Sequence, residues 1–195
     1  MDFYYPNFLN DHWRIEGLVF YGDRNRFVDA EGKCFKLDEI VRHCEKKGLA
    51  FFDTATAVRR LKDNASDKFL EVVEPTDIGA LIARLPHLRV IVTTGEKAAE
   101  TICASLGIGE VPKVGASVEI QASPVPSNEG GKQSSTNVNG EAGGRFFSPS
   151  GEVVRGLRLW RLPSSSRAYP LSLEKKAEAY RRMFSATCSD GLKGD

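Results

Sequence analysis

The sequence predicts an α/β protein, a three-layer α/β/α sandwich around a short central parallel sheet. Three observations predict it. Apolar residues recur at helical spacing in several separate windows, as in Leu37, Ile40, Val41 and Cys44. Short β-branched or apolar runs lie between those windows, Arg89-Val90-Ile91-Val92-Thr93 being the strongest. Helix and strand signals alternate along the chain, which favours parallel strands joined by crossover helices.

The elements follow in order. Phe3-Tyr4-Tyr5-Pro6-Asn7-Phe8-Leu9-Asn10-Asp11-His12-Trp13 is an aromatic, Asn-rich opening whose Pro and Asn residues favour turns. From Asp11 the pattern predicts a helix carrying Trp13, Leu18 and Phe20, and residues 22–32 read as a polar loop. Leu37 to Lys47 is a second helix, with Lys46 and Lys47 at the negative end of its dipole and Gly48 as its stop. Leu49-Ala50-Phe51-Phe52-Asp53 is an apolar run ending in a carboxylate and predicts a buried strand with a functional tip. Pro75-Thr76-Asp77 opens a helix with Ile78, Leu81, Ile82 and Leu85 on one face. After the strand at 89–93, Thr94-Gly95 turns the chain into a helix from Glu96 to Leu106, ended by Gly107. Gly156 to Leu162 alternates apolar and basic residues as a strand does, Pro163 to Arg167 is a loop, and a last helix spans Ser172 to Phe184.

Between these elements residues 123–144 differ. Ser, Gly, Pro and Asn make up 14 of the 22 positions, too few apolar groups to offset ordering entropy, so a flexible insertion in a single domain of residues 1–195 is expected. No internal repeat is visible.

Composition narrows the function. Lys and Arg number 27 against 26 Asp and Glu, a net charge of +1, which excludes a strongly basic nucleic-acid tail but not a local basic face. Cys34, Cys44, Cys103 and Cys188 form no CxxC pair, and His12, His43 and His87 form no HxxxH pattern, so no metal site is expected. Reduced thiols, the lack of a long apolar run and an N-terminus unlike a signal peptide predict a cytoplasmic protein without a membrane span.

In a parallel sheet, ligands sit at the carboxyl ends of the strands. The polar residues expected there are Asp53, Thr93-Thr94-Gly95 and Pro163-Ser164-Ser165-Ser166-Arg167, converging with the N-terminal aromatic segment.

Those residues carry a resemblance. Tyr4 to Trp13, with Asn10 three residues before Trp13, resembles the aromatic-Asn-Trp segment of the uracil-DNA glycosylase superfamily. The hypoxanthine/uracil and mismatch-specific uracil/thymine glycosylases are the most similar branches. Leu162-Pro163-Ser164-Ser165-Ser166-Arg167-Ala168 resembles the superfamily's second motif, and residues 49–53 and 90–98 fall where it has its middle strands. The likeness covers most of residues 3–110 and 157–184.

The resemblance implies base excision from deaminated DNA, with the target base flipped out of the helix. Tyr5 matches the position that stacks the base, and Asn10 the one that orients the attacking water. Asp53 would contact the base, and Ser164, Ser165 and Ser166 the leaving base or a flanking phosphate, their N–H and hydroxyl groups donating to the developing negative charge. Arg167, Lys175 and Lys176 would meet DNA phosphates. No cofactor is implied, and the protein is expected to act as a monomer on DNA containing a damaged base.

The chain departs from the superfamily pattern in three ways. A strand and a Gly-x-x-Pro-Gly-like turn precede the aromatic segment in the superfamily, but Met1 stands two residues before Phe3 here. Phe8-Leu9 occupies the place of a common Pro, and position 11 is the acidic Asp11.

Plainer roles compete for the same residues. Asn10 can cap the following helix. Tyr4, Tyr5 and Trp13 can be core packing, and Asp53 can pair with Arg59 or Arg60. The Ser loop can be an ordinary connection, and Lys175, Lys176, Arg181 and Arg182 can form a solvated helix face. Two other functions remain open. One is an inactive relative that binds nucleic acid or a nucleobase. The other is an unrelated enzyme holding a small phosphorylated ligand at Thr93-Thr94-Gly95.

Overall fold

A computed structural model describes residues 1–60, 70–120 and 156–189. The insertion expected at 123–144 lies outside the described residues.

The helices form where the apolar spacing places them. α1 spans His12–Tyr21 and α2 spans Leu37–Lys47. Each ends at a glycine in the left-handed region, Gly22 at φ 68° and Gly48 at φ 64°, where a side chain would add strain. Asp38 and Glu39 open α2 while Lys46 and Lys47 close it, charges that complement the helix dipole at both ends. The expected polar loop at 22–32 instead contains half of a small hairpin. β1, Val28–Asp29, pairs antiparallel with β2, Cys34–Phe35.

Leu49 to Asp53 is not a strand. Phe51 turns into the aromatic cluster of Phe3, Tyr4 and Trp13, and Phe52 is exposed. No described strand offers this run a ladder, and apolar composition alone does not make a strand without one. The chain then builds a hairpin that the sequence did not announce, β3 (Ala55–Arg60) antiparallel to β4 (Leu70–Pro75). α3 follows at Ile78–Ala83, shorter than the apolar spacing suggested. The Asp77 side chain accepts the Ala80 N–H at 2.9 Å and caps it.

The main sheet has three described strands. β5 (Val90–Thr94) leads into α4 (Glu96–Ser105), β6 is Ala116–Glu119, and β7 is Arg158–Leu162, before the final helix α5 (Leu173–Ser189). Their order is β5-β7-β6. β5 and β7 are parallel, in register from Val90↔Arg158 to Thr94↔Leu162. β6 is antiparallel, so the sheet is mixed rather than wholly parallel. The chain after α4 returns to the carboxyl end of β7, where Gly115 N–H donates to the Arg161 carbonyl at 2.7 Å, and β6 therefore runs downward.

Alternation along β7 divides the core. Leu157 and Leu159 pack with Ile78 and Ile82 of α3 and Ile102 of α4. Trp160 and Leu162 pack with Ile15 of α1 and Leu173, Ala177 and Tyr180 of α5. A third cluster joins Trp13 to Phe27, Phe35 and Ile40, and Phe3, Tyr5 and Phe51 pack against it. This cluster anchors the N-terminal segment beside the carboxyl ends of β5 and β7.

Candidate functional site

The carboxyl ends of the parallel pair bring together part of the predicted constellation, without Asp53. Thr94 ends β5 opposite Leu162, which ends β7. Gly95, at φ 120°, makes the turn into α4. Tyr5 reaches this point from the N-terminal segment, its phenol oxygen 2.8 Å from Thr94 Oγ1. The Asp11 N–H donates to the Ser165 carbonyl at 3.0 Å. Three segments far apart in sequence therefore meet, as the strand-end argument expected: 5–12, 93–95 and 163–167.

Asn10 precedes α1. Its Oδ1 accepts the His12 N–H at 2.9 Å, which satisfies the first N–H of the helix from the residue before the N-cap Asp11. A carboxamide oxygen has a second lone pair and the amide two donors, which leaves chemistry for the same group. Arg14 stabilises the turn from below: its guanidinium donates to the carbonyls of Phe8 (2.9 Å) and Asn10 (3.1 Å) and lies over the Phe8 ring.

The Ser loop is held by an ion network centred on Asp11. Asp11 Oδ1 accepts Arg167 Nε at 2.9 Å, and Oδ2 lies 3.8 Å from Lys176 Nζ. Lys176 in turn donates to the Ser166 carbonyl at 2.7 Å. Ser164 Oγ accepts the Ser166 N–H and Ser166 Oγ accepts the Ala168 N–H, turns that Ser favours. Ser165 is buried; Ser164 and Ser166 are partly exposed.

The phosphate-contact expectation for Lys176 is corrected. Its side chain is 1% exposed, and burial lowers its pKa although Asp11 pulls the other way. The ammonium binds the loop from inside and is not displayed to solvent. Apolar neighbours on α5 at Leu173, Ala177 and Tyr180 explain why the stem is buried. Arg167 and Lys175 are exposed. Asp11 is buried among these cations and presents little negative charge outward.

Asp53 is exposed and lies beside a different set of contacts. Its carbonyl accepts Thr76 Oγ1 at 2.6 Å, and its charge adds to the burial that raises the Tyr4 pKa. Asp53 is thus near the aromatic segment rather than on the Ser loop.

One residue that the sequence did not single out, His12, lies in the middle of the site. His12 is 3% exposed, and neither ring nitrogen has a hydrogen-bond partner. Burial, with His43 adding to it, lowers its pKa to about 3, so the imidazole is neutral at physiological pH. Its ring stacks on Tyr5 at 4.0 Å between centroids. Tyr5 itself has φ 53°, a left-handed backbone that non-glycine residues seldom hold. A lone histidine next to a helix cap carries no sequence signal for this arrangement.

One turn further along α1, Glu16 Oε2 lies 3.3 Å from His43 Nε2, and His43 Nδ1 is 3.1 Å from the Tyr21 hydroxyl. Burial raises the Glu16 pKa, and the histidine opposes it. Among the described residues no group of three or more His, Cys, Asp or Glu is placed to hold a metal ion. Cys34, Cys44 and Cys103 are free thiols, and burial pushes Cys44 up to about 11, a poor nucleophile. No helix among the described residues is long and apolar enough to cross a membrane.

No protein-family model, curated protein or solved structure matches the chain.

Proposed function

We propose that the protein is a monofunctional DNA glycosylase that removes a deaminated base, uracil or hypoxanthine, by hydrolysing the N-glycosidic bond. The observation that carries the reading is the meeting of the Asn10 segment with the Ser164–Arg167 loop at the carboxyl ends of β5 and β7, through Asp11 N–H to Ser165 O at 3.0 Å. A glycosylase needs this kind of convergence. The departing base becomes anionic and the sugar cationic, so an aromatic surface, a water-orienting amide and hydrogen-bond donors must share one small volume.

In this reading the Tyr5–His12 stack supplies the aromatic surface, worth ~1–3 kcal/mol per stacked base. Asn10 orients water toward the sugar carbon through the lone pair or amide not used on the His12 N–H. Ser164 and Ser166 donate toward the leaving base or a flanking phosphate, and Arg167 with Lys175 meets the backbone outside. Lys176 and Asp11 hold the loop. The helices on both faces of the sheet support a three-layer α/β/α arrangement for the whole domain. A cytoplasmic monomer acting without a cofactor completes the reading.

A second reading rests on a specific contact. Asn10 Oδ1 already accepts the His12 N–H. A member whose Asn10 only holds that N–H would bind nucleic acid or a nucleobase without cutting. Single-turnover cleavage of uracil- and hypoxanthine-containing oligonucleotides, developed with alkali, separates the two. Asn10→Ala is expected to lose at least ~100-fold in excision rate, the lower end of what a positioned catalytic group contributes, while duplex affinity changes little. Equal excision by Asn10→Ala and the wild type would remove the assigned role.

A further inference from the structure

Glu16, His43 and Tyr21 form a hydrogen-bonded line that the strand-end site does not use. Glu16 Oε2 lies 3.3 Å from His43 Nε2, and His43 Nδ1 lies 3.1 Å from the Tyr21 hydroxyl. Glu16 is 3% exposed and His43 2%, whereas Tyr21, the last residue of α1, is 43% exposed. The line therefore begins on a carboxyl group in the interior and ends on a phenol at the surface. The imidazole is held by more than its two hydrogen bonds, since Phe20 meets it at 4.9 Å and Phe27 at 5.0 Å between ring centroids. The Arg26 guanidinium lies 5.2 Å from the centre of the Tyr21 ring.

A structural tie between α1 and α2 does not call for this set. Burial raises the Glu16 pKa, with the hydrogen bond from His43 opposing it, so the carboxylate is kept inside at a cost. Apolar side chains of the same volume would join the two helices at least as well. What the set does supply is the order of groups that activates a hydroxyl: a nucleophile on a base, and the base oriented by a third group.

We propose that Tyr21 is a nucleophile that accepts an acyl group from an activated ester, with His43 as its general base and Glu16 as the residue that positions the imidazole. With Nε2–H donated to Glu16, His43 Nδ1 presents a lone pair to the phenol O–H. The Tyr21 oxygen bonds to the acyl carbon while its proton passes to Nδ1. The bond from that carbon to the ester oxygen then breaks and the departing oxygen takes the proton back, leaving a tyrosyl ester and a free alcohol or phenol. Arg26 places a positive charge beside the ring as it loses its proton. Cys44, next to His43 in the chain, does not compete, because burial and the Glu16 charge push its thiol up to about 11. Tyr21 stands ~13 Å along α1 from His12. The acyl site is thus separate from the strand ends and does not depend on the base-excision reading.

The test is acetylation of the full chain by p-nitrophenyl acetate, with the modified residues and their initial rates read by peptide mass spectrometry. Tyr169, partly exposed on the loop before α5, is the reference within the same molecule. Tyr21 is expected to acetylate at least ~100-fold faster than Tyr169, the lower end of what a positioned base contributes. The Tyr21 rate is expected to fall in D2O relative to that of Tyr169, because a proton moves in the same step. His43→Phe suits the space between Phe20 and Phe27 but removes the base, and is expected to bring Tyr21 down to the Tyr169 rate. Glu16→Gln keeps the size of the side chain and is expected to cost at least ~10-fold, since the imidazole loses the charge that fixes its tautomer. Equal rates at Tyr21 and Tyr169 in the wild type overturn the proposal, and so does a Tyr21 rate that His43→Phe or Glu16→Gln leaves unchanged. Should the variants fail to fold, the wild type decides alone. A fast Tyr21 that slows in D2O supports the base, and a fast Tyr21 without a solvent effect is an exposed phenol and overturns it.

Discussion

At the scale of single residues, His12 controls a measurable property. Its folded pKa is about 3 against 6.5 for the unfolded chain. The unfolded state therefore binds a proton in that window that the folded state does not. Stability is fully present above pH 6.5 and is lost as pH falls toward 3, by about 5 kcal/mol at most. His12→Phe keeps the stack with Tyr5 and removes both the titration and two buried unsatisfied nitrogens. Its urea midpoint is expected to match or exceed that of the wild type at pH 7, and to fall less between pH 6.5 and 4. A pH profile unchanged by the substitution would contradict the buried neutral imidazole. Neither position 5 nor position 12 was fully legible beforehand. The aromatic character of Tyr5 was visible, but its left-handed backbone and its stacking partner depend on tertiary packing. Lys176 was misread for the same reason: a lysine on a helix looks solvated until its neighbours on adjoining elements are known.

At the scale of elements, the Ser loop depends on a helix and a turn outside it. α5 delivers Lys176 to the Ser166 carbonyl at 2.7 Å, and the turn before α1 delivers Asp11 to Arg167 at 2.9 Å. The Arg167 half is partly exposed and contributes ~0–1 kcal/mol. The Lys176 half is buried on the lysine side, so breaking it takes the buried donor from the Ser166 carbonyl and leaves Asp11 with Arg167 alone. Lys176→Met is expected to destabilise the fold by about 3 kcal/mol in chemical denaturation, whereas Lys175→Met changes it by less than about 0.5 kcal/mol. Equal effects at the two positions would refute the inward orientation of Lys176. The helices were readable because their apolar residues repeat at 3.6-residue spacing and their ends carry Gly22, Gly48 and Asp77. The β3–β4 hairpin escaped because Arg59, Arg60, Glu71 and Glu74 interrupt any apolar alternation. Leu49 to Asp53 misled in the opposite sense, since Phe51 is buried by aromatic packing and not by a sheet.

At the scale of the whole molecule, the described packing is uneven. β7 is covered on both faces and flanked by β5 and β6, while β3 and β4 pair only with each other among the described strands, leaving Val58 and Val73 more than half exposed. Two-stranded ribbons are marginal without a covering layer. Hydrogen exchange is therefore expected to be at least ~100-fold faster in the β3–β4 ladder than in β7; equal protection would show that something else covers the hairpin. The α/β class was legible in the sequence, but the mixed sheet was not. β6, Ala116-Ser117-Val118-Glu119, is too short and too polar to signal a strand. The central claim is that the segments meeting at the strand ends excise a base. Its most direct test is to incubate the chain with a duplex containing one deoxyuridine or deoxyinosine and to assay the products by mass spectrometry. The account predicts free uracil or hypoxanthine and one abasic site per base released. An intact oligonucleotide at enzyme excess, under conditions where the duplex is bound, would contradict it.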